Sequence, residues 1–191
     1  MDEINDALNI GLKDIGENRV QELIKKYDII GDKANYHMIG HLQSNKVKYI
    51  IDKVTLVHSL DRLSLAKELN KRAKMNNLIM DVLIQVNVAE EESKYGLKVS
   101  EVIPFIEKIL KYENIRIKGL MTIAPFAENP EEIRWVFRDL RRLSETIKDK
   151  GYGNISMEFL SMGMTNDYEI AVEEGSNMIR VGTGLFGKRN Y

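Results

Sequence analysis

Two short stretches near the carboxyl end carry the residue types that hold anions. SMGMTND (161–167) and RVGTGLFG (180–187) each follow an apolar run and precede a segment of helical character. Gly163, Gly182 and Gly184 let backbone N–H groups come close to a ligand, and Ser161, Thr165 and Thr183 add hydroxyl donors. A helix opening behind each loop supplies positive partial charge. Either loop alone reads equally well as a plain turn. Two of them on adjacent strand ends point to phosphate. Arg180 stands two residues before Gly182 within the last apolar run. A guanidinium only donates hydrogen bonds and stays charged, so inside a fold it needs an acceptor. A barrel carboxylate and the ring nitrogen of a bound cofactor both satisfy that need, and composition does not choose between them.

Other candidates are weaker. GENRVQE (16–22) places Glu17 and Asn18 at a strand end, with Arg19 and Gln21 opening the next helix. HMIGHLQSNK (37–46) sets His37 and His41 four apart, but a glycine and a strand-to-loop break separate them. No acid is spaced as in a zinc-binding helix, so a metal site is not expected. The run RWVFRDLRR mixes arginine with aromatics, yet its arginines lie opposite Ile133, Phe137 and Leu140 and read as a solvated helix face.

The elements that must position these residues alternate strictly. Apolar or β-branched runs occur at 13–17, 36–40, 54–60, 79–88, 115–123, 157–162 and 177–182. Helical spacing fills the gaps. DRLSLAKELNKRAK puts Leu63, Ala66, Leu69 and Ala73 on one face, and PEEIRWVFRDLRRLSETI does the same with Ile133, Val136, Phe137, Leu140 and Ile147. Asn129 is placed to cap that second helix, with Pro130 at its first position. KVKYIIDK (46–53) reads as an amphipathic helix. Strand and helix in turn mean a parallel sheet with right-handed crossovers, and seven such units favour a closed α/β barrel over an open sheet. The chain opens on DEINDALNIG, which reads as the second half of a crossover helix. Barrels of this kind have eight strands and at least ~200 residues. At 191 residues and seven strands, the expectation is a (β/α)8 TIM-barrel-type fold whose first strand is missing, forming a single domain over 1–191.

Composition narrows the function. With 28 Lys plus Arg against 29 Asp plus Glu, the net charge is −1, which gives no electrostatic case for nucleic acid or an anionic membrane. Cysteine is absent, excluding disulfides, thiolate catalysis and cysteine-bound metal. No apolar run approaches the roughly 20 residues of a spanning helix, and no secretory signal opens the chain. A cytoplasmic protein is expected.

With these motifs in view, the chain resembles a known family. GENRVQE, HMIGHLQSNK, HSLDRL, QVNVAEEESKYGL, IKGLMTIAP and LSMGMTNDYEIAVEEGSNMIRVGTGLFG follow the order shown by the YggS/PROSC family of pyridoxal 5′-phosphate-binding proteins. The resemblance covers essentially the whole chain and is most specific from Ser161 to Gly187. It implies a barrel like the amino-terminal domain of alanine racemase and a role in intracellular pyridoxal phosphate homeostasis, with no catalytic turnover implied. Carried over by motif, Ser161, Gly182 and Thr183 would hold the cofactor phosphate, helped by the backbone of Met162, Gly163 and Thr165. Arg180 would face the pyridine nitrogen, Asn18 would lie against the cofactor, and His37 and Gln43 would stand at the barrel mouth.

One departure matters. The family's Schiff-base lysine lies on the first strand, in a segment resembling A-V-S-K-T, and no lysine here occupies a matching position. The chain is therefore expected to lack covalent attachment and to bind pyridoxal phosphate non-covalently or not at all, with phosphate or sulfate as simpler ligands. Unpaired edges beside the missing strand lead us to expect self-association, as a homodimer or larger, that covers the gap. Cofactor-free pyridoxal phosphate enzymes are the expected recipients. The other readings are a pyridoxal phosphate-dependent racemase-like enzyme and a non-covalent binder of another phosphorylated metabolite.

Overall fold

The strands order as the alternation requires. The structure, a computed structural model, describes residues 2–187. It runs α1 (Asp2–Asn9), β1 (Asp14–Glu17), α2 (Val20–Ile30), β2 (Asn35–Met38), β3 (Val54–Leu60), α3 (Leu63–Met75), β4 (Met80–Gln85), α4 (Val99–Ile109), β5 (Ile115–Met121), α5 (Arg134–Asp149), β6 (Ile155–Met164), α6 (Tyr168–Glu173), β7 (Met178–Arg180) and α7 (Thr183–Phe186). All seven strands are parallel and lie in sequence order, each paired with the next. Among the described residues β1 and β7 do not pair with each other, so the barrel is nearly closed.

Two apolar layers show the curl. The larger lies between strands and helices, where Val57, Val82, Ile84, Ile117 and Leu120 meet Leu65, Leu69, Ile106, Phe137 and Leu140. Burying each such side chain contributes about 1.5–3 kcal/mol. The smaller layer holds Leu56, Leu83 and Met121, with Ile123, Phe159 and Met178 against them. Its members come from the opposite faces of β3 to β7, so these side chains fill the barrel's inside, as a packed barrel requires.

The helices follow the sequence with small differences. Asn129 caps through its side-chain oxygen, which accepts from the Glu131 N–H at 3.2 Å, and a 3₁₀ turn (Pro130–Ile133) leads into α5. In α3 the inward row is Leu65, Ala66, Leu69 and Ala73, while Leu63 at the first position turns outward. Residues 46–53 do not form an amphipathic α-helix. A 3₁₀ helix (Ser44–Tyr49) and turns take their place, because only Val47, Ile50 and Ile51 need to face the core and one tight coil supplies all three. β6 also runs further than the sequence suggests. It takes in SMGM, pairing Ser161 with Met178 and Met164 with Arg180.

Candidate functional site

The carboxyl ends of β6 and β7 bring the two glycine loops together. Thr165 Oγ1 and Thr183 Oγ1 are 3.2 Å apart, and the Gly184 N–H donates to Thr165 Oγ1 at 3.3 Å. Asp167 fixes the first loop by accepting the Met164 N–H at 2.6 Å. Gly163 has φ +93°, and a Cβ there would stand 2.7 Å from Ala171 Cβ, so the bend that brings the loop round demands glycine. Gly182 differs. Its φ is −113° and a Cβ would meet open space, so nothing in the folded chain requires glycine there. Among the described residues the N–H groups of Thr165, Asn166, Gly182 and Thr183 have no protein acceptor. Exposed donors beside an unobstructed glycine form a cradle for an anion.

Arg180, the last residue of β7, reaches to β6 and to the end of β5. Its Nη1 donates to Ser161 Oγ at 2.6 Å and its Nη2 to the Thr122 carbonyl at 2.8 Å. Among the described residues no carboxylate pairs with it, so a salt bridge does not account for the residue. Burial drives the guanidinium down to about 10, with Asp167 opposing. It remains a cation at neutral pH, held by two neutral acceptors and, among the described residues, without an anionic partner.

Strand alternation decides the other candidates. Ser161 points inward and is wholly buried, its hydroxyl also lying 3.0 Å from His58 Nδ1. Met162 points the other way into the outer core, so it offers the site only its backbone, and its carbonyl accepts from Ser176 at 2.7 Å. His37 lies inside on β2, with its Nδ1 3.0 Å from His58 Nε2. Asn18 is exposed just after β1, and its carbonyl packs so tightly on Gly40 that a Cβ there would stand 2.4 Å from it. Gln43 is exposed at the start of the 3₁₀ helix and makes no contact with the cradle. The structure thus joins Ser161, Gly163, Thr165, Arg180, Gly182 and Thr183, with His37 reached through His58. Asn18 stands on the rim formed by the β1 and β2 loops.

His58 and the Thr122 carbonyl escaped the sequence reading. A signal existed for His58, since it is the one polar ring in the otherwise apolar run VTLVHSL. His41 does not partner His37; it stacks on Tyr95 with centroids 3.9 Å apart. No group of three or more metal-binding side chains occurs among the described residues. Among them the strands carry one lysine, Lys118, whose Nζ pairs with Glu158 at 2.7 Å. No helix among the described residues is long and apolar enough to cross a membrane.

Comparison with known proteins bears out the family and the fold. Residues 2–190 match the family described as alanine racemase, N-terminal domain. A pyridoxal phosphate homeostasis protein of Aquifex aeolicus is 49% identical over 189 residues, covering 98% of this chain and 82% of that protein. The solved structure of PipY from Synechococcus elongatus, with pyridoxal phosphate bound, superposes with a TM-score of 0.89 at 31% identity, over 96% of this chain and 86% of PipY. Alanine racemase of Clostridium difficile shares the fold alone, with TM-score 0.77 at 17% identity over 98% of this chain and 48% of the racemase.

Proposed function

The chain belongs to the alanine racemase N-terminal domain family, on its YggS/PROSC branch, and on that premise we propose that it binds pyridoxal 5′-phosphate non-covalently in the service of cofactor homeostasis. One observation carries this reading. Among the described residues, a largely buried arginine without a carboxylate partner ends β7, two residues before Gly182, and binds Ser161 on β6, so it joins the two strands whose loops carry N–H groups without a protein acceptor. Phosphate suits the N–H donors of Thr165, Gly182 and Thr183, and a ring nitrogen suits Arg180. The Aquifex aeolicus relative bears the name of that role, and PipY has been seen with the cofactor.

When bound, pyridoxal phosphate supplies an aldehyde for reaction with amines and a pyridine ring that accepts electron density. The chain's own residues set how far that chemistry goes. Arg180 donates and cannot accept, so it leaves the ring nitrogen without a proton and the ring a weak electron sink. Such a site favours holding and releasing the cofactor over turning over amino acids. Among the described residues the one lysine on a strand, Lys118, is tied to Glu158, which supports the non-covalent reading. Recipients would be cofactor-free pyridoxal phosphate enzymes, and the working place the cytoplasm.

Equilibrium dialysis of the chain against pyridoxal phosphate, pyridoxal and inorganic phosphate tests the proposal. Saturable binding of pyridoxal phosphate, at least tenfold tighter than either fragment, is expected. Equal affinity for inorganic phosphate would replace it with a general phosphate binder.

A further inference from the structure

A line of hydrogen-bonding side chains crosses the barrel interior from β1 to β7. Asp14 Oδ1 lies 3.4 Å from His37 Nε2, and His37 Nδ1 lies 3.0 Å from His58 Nε2. His58 Nδ1 is 3.0 Å from Ser161 Oγ, which accepts from Arg180 at 2.6 Å. His37, His58 and Ser161 are buried, at 8%, 1% and 0% exposure. Apolar side chains would fill this space at lower cost, since buried polar groups are kept only when satisfied. The line therefore calls for an account of its own.

Its proton directions can be assigned from the partners. Arg180 only donates, so Ser161 Oγ accepts from it. The serine's own hydrogen then needs an acceptor, and among its contacts His58 Nδ1 is the one available. That leaves Nδ1 bare and the proton of His58 on Nε2, donated to His37 Nδ1. His37 in turn carries its proton on Nε2, facing Asp14. Each hydrogen in the line has an acceptor, both imidazoles are neutral, and the charges stand only at the ends, Arg180 and Asp14.

We propose that His58 is a positioning residue for the cofactor site, acting through Ser161 to hold Arg180 where a ring nitrogen can meet it. This deepens the function proposed above and rests on it. A bare Nδ1 aims the serine hydrogen away from Arg180 and leaves the oxygen lone pair facing the guanidinium. A protonated His58 would place a second donor on that same oxygen, beside a cation. Two cations would then converge on one neutral oxygen, which weakens the anchor of Arg180, and affinity would fall in acid. The charged and titratable groups facing the pair are Asp14 on β1, each histidine for the other on β2 and β3, and Arg180 on β7, with Asp167 acting on Arg180. Burial already holds both imidazoles below their ordinary value, and Arg180 pushes His58 further the same way. The neutral line is the resting state at neutral pH.

Two measurements on the full chain test this. In the first, ¹⁵N-detected imidazole spectra report the tautomers of His37 and His58 without ligand. Nε2–H is expected at both, and a proton on Nδ1 of His58 overturns the proposal. In the second, His58→Asn and His58→Gln are compared with the parent in pyridoxal phosphate dialysis between pH 5.5 and 8.5. The asparagine amide can stand in for Nδ1 and keep Ser161 engaged, whereas glutamine reaches only the Nε2 side. His58→Asn should bind within threefold of the parent and lose the acid fall-off; His58→Gln should bind at least tenfold more weakly at pH 7.5. Parent-like affinity and pH profile in His58→Gln overturn the proposal. If the parent itself does not bind, the function proposed above fails, and the tautomer spectrum alone decides the role of His58.

Discussion

Replacing Arg180 with methionine should stabilise the empty protein while weakening its affinity for pyridoxal phosphate. Burial lowers the guanidinium to about 10 in the folded chain, which corresponds to about 3 kcal/mol of penalty on the charged form. Methionine removes that penalty and fills similar space. It also deprives Ser161 Oγ and the Thr122 carbonyl of their donor, each at a cost of about 1 kcal/mol. The balance is about 1 kcal/mol in favour of Arg180→Met. For a chain of 191 residues that raises the melting temperature by about 2–4 °C. A hydrogen bond to a charged group is worth about 1.5–3 kcal/mol, so binding should weaken roughly 10- to 150-fold. Differential scanning calorimetry without ligand and dialysis with it read the two effects separately. A melting temperature lowered by more than about 5 °C would show that Arg180 is a structural cation, and the reasoning from its missing partner would fail.

Four further outcomes follow from the same geometry. Gly182→Val should leave stability within about 0.5 kcal/mol, because its Cβ enters open space, while weakening pyridoxal phosphate binding at least tenfold; urea titration beside dialysis checks both. Gly163→Ala should cost about 1–3 kcal/mol in the same urea titration, since φ is +93° and the methyl meets Ala171. The buried histidines titrate below 6.5 when folded, so the unfolded chain takes up protons first; stability should be complete above pH 6.5 and fall below it, more steeply in the parent than in His58→Asn by calorimetry across pH 5–8. Among the described residues the outer edges of β1 and β7 have no strand partner, and Ile179 and Leu185 are exposed near one of them, which should drive self-association; light scattering at micromolar concentration should give a mass well above 22.0 kDa, and a clean monomer would contradict that.

The barrel was legible because parallel strands buried on both faces write themselves as apolar runs, and each of the seven runs became a strand. Glycine and hydroxyl residues marked the two loops for the same reason, since only those types let backbone donors face an anion. What lay hidden depends on which way a side chain points. Ser161 and Met162 are neighbours in the chain, yet one enters the polar line and the other the outer core. Gly163 and Met164 read as loop because Gly163 looks like a terminator, whereas pairing with β7 carries the strand through it. The role of His58 is hidden in the sequence because its partners lie 21 and 103 residues away. Long-range pairings of that kind leave no mark in local spacing.

A crystal structure of this chain grown with pyridoxal 5′-phosphate tests the central claim most directly. The account predicts phosphate density against the N–H groups of Thr165, Gly182 and Thr183, the ring nitrogen facing Arg180, and no bond to any lysine. Density for the cofactor outside the barrel mouth, or an empty mouth at saturating cofactor, would contradict it.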